Sequence, residues 1–219
     1  LVFCDLCGTP QLTFGSYTAD VLSTDVDGNQ VRFDGVKAAI IYSDQGIFAV
    51  QAPVEIAGKT TTFVTVVNAA GAESLPVAVP VYPVDRSVLT QDSSGGGDGA
   101  IQNEDGTLNS AENPARIGST ITVYYINGGI TNPQVPNGAV NPVTSLLPTF
   151  TIGGTWFIGG LPAQSVYDGP APGSLGGVAQ ANLKVPASLP AGPANLSWAP
   201  SGNTQYFLGK WDVNVHVKP

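Results

Sequence analysis

Glycine and proline interrupt this chain too often for a long helix to form. There are 27 glycines and 18 prolines, the residues that most disfavour helix interiors. The runs between them are rich in Val, Thr, Ile, Tyr and Phe, which suit a pleated, half-buried surface. Residues 11–17 alternate Leu12 and Phe14 against Thr13, and further short runs follow at 31–33, 38–42, 47–51, 60–68 and 76–82. Turn signals about every 8 to 12 residues are the pattern of an immunoglobulin-like sandwich.

The order of these elements returns after a polar central stretch, 95–118 (GGGDGAIQNEDGTLNSAENPARIG). GSTITV at 118–123 echoes GTPQLTF at 8–14, and FTIGG at 150–154 echoes VRFDG at 31–35. Residues 163–168 answer 39–44, QANLKVP at 180–186 answers 48–53, and 211–218, alternating Trp211, Val213, Val215 and Val217 with polar residues, answers the closing run 77–81. The predicted fold is therefore all-β, with two tandem immunoglobulin-like antiparallel β-sandwich domains over 1–90 and 91–219. A hairpin at 100–110, turning at Asp105-Gly106, opens the second domain. The second copy also carries longer connections at 127–148, 156–162 and 169–177. Long loops on a rigid scaffold are common binding sites, which makes Trp156, Phe157 and Tyr167 candidate sugar-stacking residues; core or interface packing is the competing reading.

A net charge of −8 with 8 Lys plus Arg argues against nucleic acid, which demands clustered cations. No apolar run has the length of a membrane helix. A start at Leu1 and the absence of Met read as a mature, secreted form. Cys4 and Cys7 (CDLC) are the two cysteines. Their spacing fits a short-loop disulfide, free or intermolecular thiols, or a metal or redox motif, and a disulfide suits an extracellular protein. His216 is the sole histidine. On a strand whose other face is valine it is expected to point to solvent, with no serine or cysteine motif near it. No catalytic residue, metal ligand set or cofactor is predicted. Asp25-Val26-Asp27-Gly28-Asn29 and Asn103-Glu104-Asp105 read as turns, with calcium as the lesser reading. Asn195-Leu196-Ser197 is an Asn-x-Ser pattern.

GAIQNEDGTLNSAENPARIGSTITVYYINGGITNPQVPNGA, then TIGG, Tyr167-Asp168 and LKVPASLPAG, with DGVKAAIIYSDQGIFAVQAPVEIAG in the first half, resemble the Solibacter-type C-terminal domain family. This is a bacterial family of IPT/TIG-like immunoglobulin-fold repeats. The resemblance covers nearly the whole chain and implies a secreted or surface-attached module, with no catalytic residues to carry over. CDLC is foreign to the family pattern, and the usual lead-in to the first half is missing.

That missing lead-in has an internal counterpart. The second domain has 100–110 to supply a first strand, whereas only Leu1–Cys7 precedes Gly8. This apolar segment is expected to pair either with its own domain or in the groove of a neighbour, with Leu1, Val2, Phe3 and Leu6 as the donor side chains. The function expected is that of a non-enzymatic extracellular subunit, self-assembling head to tail into a filament or pilus-like polymer by strand complementation. The alternative is a secreted adhesion or carbohydrate-binding module acting as a monomer, with a glycan as its partner.

Overall fold

The computed structural model describes residues 1–4, 7–143, 149–202 and 213–219. The chain divides into two compact units. Unit 1 comprises Leu1–Tyr82, Gln134–Val143 and Gly173–Gly176; unit 2 comprises Pro83–Pro133, Thr144–Pro172 and Gly177–Pro219. Leu6 and Trp211 lie outside the described residues.

In unit 1 the strands are β1 (Val2–Phe3), β2 (Thr13–Phe14), β3 (Tyr17–Thr18), β4 (Val21–Leu22), β5 (Gln30–Phe33), β6 (Val36–Lys37), β7 (Ala39–Asp44), β8 (Ile47–Gln51), β9 (Thr61–Val67) and β10 (Val77–Pro80). One sheet has the order β1-β8-β7-β2 and the other β10-β9-β5-β6. Alternate residues of each strand point inward, so Val31 and Phe33 of β5, Ile40 of β7, Phe48 of β8, and Val64 and Val66 of β9 make the core. Val2, Cys4 and Cys7 pack against it.

In unit 2 the strands are β11 (Ser87–Val88), β12 (Gly97–Asp98), β13 (Ile101–Gln102), β14 (Ala115–Arg116), β15 (Thr120–Ile126), β16 (Thr131–Asn132), β17 (Thr149–Phe150), β18 (Gly154–Ile158), β19 (Leu161–Ala163), β20 (Ser165–Pro170), β21 (Val178–Lys184), β22 (Gly192–Pro200) and β23 (Val213–Lys218). One sheet runs β11-β15-β21-β20, with β13 also on β15. The other runs β12-β23-β22-β18-β19, with β14 also on β23. Both inner faces meet in a larger core that includes Ile121, Val123, Trp156, Leu183, Leu196 and Val215.

The units share a wiring. β10-β9-β5-β6 corresponds to β23-β22-β18-β19, and β1-β8-β7 corresponds to β15-β21-β20. The hairpin β5–β6 closes with Phe33 opposite Val36, and β18–β19 closes with Ile158 opposite Leu161. Each has two positive-φ turn residues, Asp34 and Gly35 (50° and 84°) or Gly159 and Gly160 (57° and 77°), the backbone a tight two-residue hairpin requires. Register breaks fall next to Tyr42 in β7 and Tyr167 in β20.

This correspondence corrects the sequence alignment in places. Residues 156–162 are the β18–β19 hairpin and not an inserted loop; Gly159-Gly160, rather than Gly153-Gly154, answers Asp34-Gly35. β15 corresponds to β1, since each lies beside the β8 or β21 strand, whereas β2 lies beside β7. Apolar-Thr-apolar spacing is common to any half-buried strand, so it cannot fix which strand is which.

Part of the long excursion 127–148 is structural. In unit 1, Leu22 N–H donates to the Gly138 carbonyl at 2.8 Å and Val140 N–H to that of Asp20 at 2.9 Å. Asn137 accepts from Val54 N–H, its amide donates to Glu55, and Gly138 N–H donates to Gln51, each at 2.8 Å.

Candidate functional site

Among the described residues the two units differ in what covers one flank. In unit 2, residues 87–116 cover an entire flank. β12 and β14 pair in parallel with β23, Gly97 opposite Val213 and Ala115 opposite Val217, while β11 and β13 pair antiparallel with β15. Between β12 and β14 the ladder is bridged by a side chain. Asn109, 2% exposed, accepts from His216 N–H and donates to the His216 carbonyl, both at 2.8 Å. Its carboxamide thus replaces a peptide group. The flank contributes Ile101 and Ala115 to the core, and Val213, Val215 and Val217 are 2%, 0% and 2% exposed.

The closing strand of unit 1, Val77-Ala78-Val79-Pro80-Val81-Tyr82-Pro83, has the same spacing as Val213-Asn214-Val215-His216-Val217-Lys218-Pro219. Its register sets Val77 opposite Val64 and Val79 opposite Thr62. Directly opposed residues share a face, and Val64 and Thr62 are buried at 7% and 1%. Yet Val77 is 61% exposed, Val79 37% and the preceding Leu75 86%. Among the described residues the inward face of β10 is uncovered, and none of them stands where β11–β14 stand in unit 2.

The outer edge of β10 has an unusual polar pattern. Val81 N–H donates to the Thr60 carbonyl at 3.0 Å, so by the two-residue period of a strand positions 77, 79 and 81 face β9, and 76, 78 and 80 face outward. Two of those outward positions are Pro76 and Pro80, which carry no N–H. Prolines so placed prevent a regular ladder and are a usual safeguard of exposed edges.

In the facing sheet the edge next to β8 is β1. Val2 opposes Phe48 and Phe3 opposes Ile47, and Cys4 N–H donates to the Gly46 carbonyl at 2.8 Å. Cys4 and Cys7 form a disulfide. The clasp needs glycine at 46: φ is +86°, and a Cβ there would lie 2.5 Å from the Cys4 carbonyl oxygen. Gly8–Thr9 continue it, with Thr9 N–H donating to Ser43 Oγ at 3.1 Å and Gln45 N–H to the Thr9 carbonyl at 2.8 Å. Leu1 and Phe3 stay exposed, whereas Val2 turns inward.

Among the candidate sugar-stacking residues, Trp156 is taken into the core. Trp156 is 1% exposed and donates from its indole to Asp168 Oδ2 at 3.2 Å. Phe157 and Tyr167 are half-buried, and the Tyr167 hydroxyl donates to the Pro170 carbonyl at 2.6 Å. Trp156 belongs instead to a buried charge cluster that has no local signature in the chain. Arg86, 1% exposed, lies 2.5 Å from Asp168 Oδ2, its guanidinium carbon 4.1 Å from the Trp198 ring centre and 5.0 Å from that of Tyr125. The Tyr125 hydroxyl donates to Asp168 Oδ1. Burial, then the Asp168 charge, push the Tyr125 hydroxyl far above its ordinary pKa, keeping it a neutral donor. With its carboxylate ringed by donors, Asp168 is a structural counterion.

His216 is also corrected. Its Nε2 lies 2.7 Å from Asp98 Oδ1, because β12 runs beside β23 and sets Asp98 opposite Asn214. Among the described residues no group of three or more His, Cys, Asp or Glu could hold a metal, and no helix is long and apolar enough to cross a membrane. The DxDGN segment is a turn, with Gly28 N–H donating to Asp25 Oδ1 at 2.8 Å.

Comparison with protein-family models, with curated proteins and with solved structures found no significant match to this chain.

Proposed function

We propose that this protein is a non-catalytic structural subunit of an extracellular, linear assembly, joined to its neighbours through the uncovered flank of unit 1. The observation that carries the reading is the exposure of Val77 and Val79, whose counterparts Val213 and Val215 are sealed in the core. A contact between such a flank and a different surface of the next copy is heterologous, and contacts of that kind build open polymers. The Cys4–Cys7 disulfide favours an oxidising, extracellular location. Within the segment Leu1–Cys7, expected from the sequence to act as donor, Val2 and Phe3 pair with β8 in the single chain. To serve a neighbour it has to exchange, so the flank is the better supported half of the contact.

Sedimentation velocity and negative-stain electron microscopy over a concentration series test this. Concentration-dependent polymers that disappear with Val79→Asp and persist after removal of residues 1–3 support the flank as the joint. A monodisperse monomer at the highest concentration overturns the assembly reading.

A further inference from the structure

We infer that the uncovered flank of unit 1 is an acceptor for one extended, uncharged polypeptide strand of a neighbouring chain, running parallel to β10 with apolar side chains at every second residue. The inference rests on the assembly reading above and names the chemistry of its contact.

The first ground is the equivalent face of unit 2. What covers β23 there is extended chain in parallel register, not a helix or a globular surface. Gly99 N–H donates to the Asn214 carbonyl at 3.1 Å, and Ile117 N–H to that of Lys218 at 2.9 Å. The outward carbonyls of the closing strand are thus taken up there by guest donors. β10 keeps those carbonyls and loses most of the outward N–H groups. Its outward positions 76, 78 and 80 each present a carbonyl, but only Ala78 among them presents an N–H. Pro80 falls at the place of His216, whose N–H in unit 2 is taken up by Asn109. Here the proline removes that donor, so a guest needs no Asn109-like acceptor at that point. Two β10 edges cannot pair productively with each other for the same reason.

The second ground is charge. Residues 75–83, Leu-Pro-Val-Ala-Val-Pro-Val-Tyr-Pro, carry none, in a chain whose net charge is −8. A guest charge set over Val77 or Val79 would lose hydration with no opposite charge on β10 to meet it.

The third ground is size. Leu75, Val77 and Val79 together offer a few hundred Å² at most, a patch of the size that often marks a binding site. A standard interface between globular partners takes about 800 Å² from each. The patch suits a single strand held by main-chain bonds with side chains in register, the arrangement of β-strand addition.

The test uses the intact chain and a fluorescein-labelled, end-capped peptide of alternating valine and threonine. Two further peptides carry N-methyl groups on one or the other alternate set of amides. Saturable binding by fluorescence anisotropy is expected, weakened at least tenfold by Val77→Thr with Val79→Thr. Both substitutions are at exposed positions, and an unchanged melting curve shows that the variant is folded. One N-methylated peptide binds and the other does not, because only one set of guest amides faces β10. Hydrogen exchange at the Ala78 amide slows in the complex. Equal binding of both N-methylated peptides, undiminished binding by the threonine variant, unchanged exchange at Ala78, or no binding each overturns the inference. Sedimentation separates this result from the assembly reading. Polymers that form although the peptide does not bind leave assembly standing and assign its contact to another surface, such as a globular face of a second copy. Peptide binding by a chain that stays monomeric keeps the acceptor and removes self-assembly.

Discussion

Asp34 illustrates how far a residue's role extends beyond its local signal. Asp34-Gly35 was readable as a turn, and the positive φ at both positions explains why that dipeptide stands there. The rest was not readable. The Asp34 carboxylate accepts from Lys59 Nζ, Thr62 Oγ1 and Phe63 N–H, each at 2.8 Å, and these donors, Lys59 first, lower its pKa to about 2. Since the folded value lies below the unfolded one of about 3.9, the contribution to stability is full above about pH 4 and fades as pH falls towards 2. An NMR titration of the Asp34 carboxyl is expected to show a midpoint near 2, and Asp34→Asn to flatten the acid limb of the stability curve. Asp168 makes the opposite case, of a residue whose partners were unreadable altogether. Asp168→Ala leaves Arg86 buried without its counterion and is expected to cost about 3 to 5 kcal/mol in urea unfolding. Arg86→Met with Asp168→Ala recovers part of that loss, because no unpaired charge is left.

Strands that look alike in sequence differ by what lies beside them. β10 and β23 share the Val-x-Val-x-Val-x-Pro spacing, and alternation marked both as half-buried strands. Whether the inward valines are covered depended on a segment far away in the chain, which alternation cannot report. Pro80→Ala restores an outward N–H on β10 and is expected to promote edge pairing, measured as faster thioflavin-positive aggregation at unchanged melting temperature. Asn109→Ala removes the carboxamide that stands in for a peptide group and leaves the His216 main chain unpaired. A loss of about 1 to 3 kcal/mol is expected in urea unfolding, and Asn109→Asp, which cannot donate to the His216 carbonyl, does not recover it. Asn109 has no legible sequence signal, sitting in a polar stretch where Asn ordinarily marks a turn.

For the whole molecule, the two units share one wiring, and the Cys4–Cys7 clasp belongs to the unit whose β10 flank is uncovered among the described residues. Replacing both cysteines by serine is expected to cost unit 1 about 2 kcal/mol through the freedom returned to the unfolded chain. Hydrogen exchange should quicken for β8 and β9 amides and stay unchanged for β22 and β23. The sequence by itself determined the all-β class, the short strands, most turns and the existence of a repeated order, because these follow from backbone preferences and two-residue alternation within a few neighbours. Only the tertiary structure decided which strand answers which, where 134–143 is built in, that Arg86 is buried among Tyr125, Trp156 and Trp198, and that the β10 flank is uncovered. Burial and pairing join residues up to more than a hundred positions apart, as Asn109 and His216 are, and a strand's own residues do not encode which distant segment will cover it.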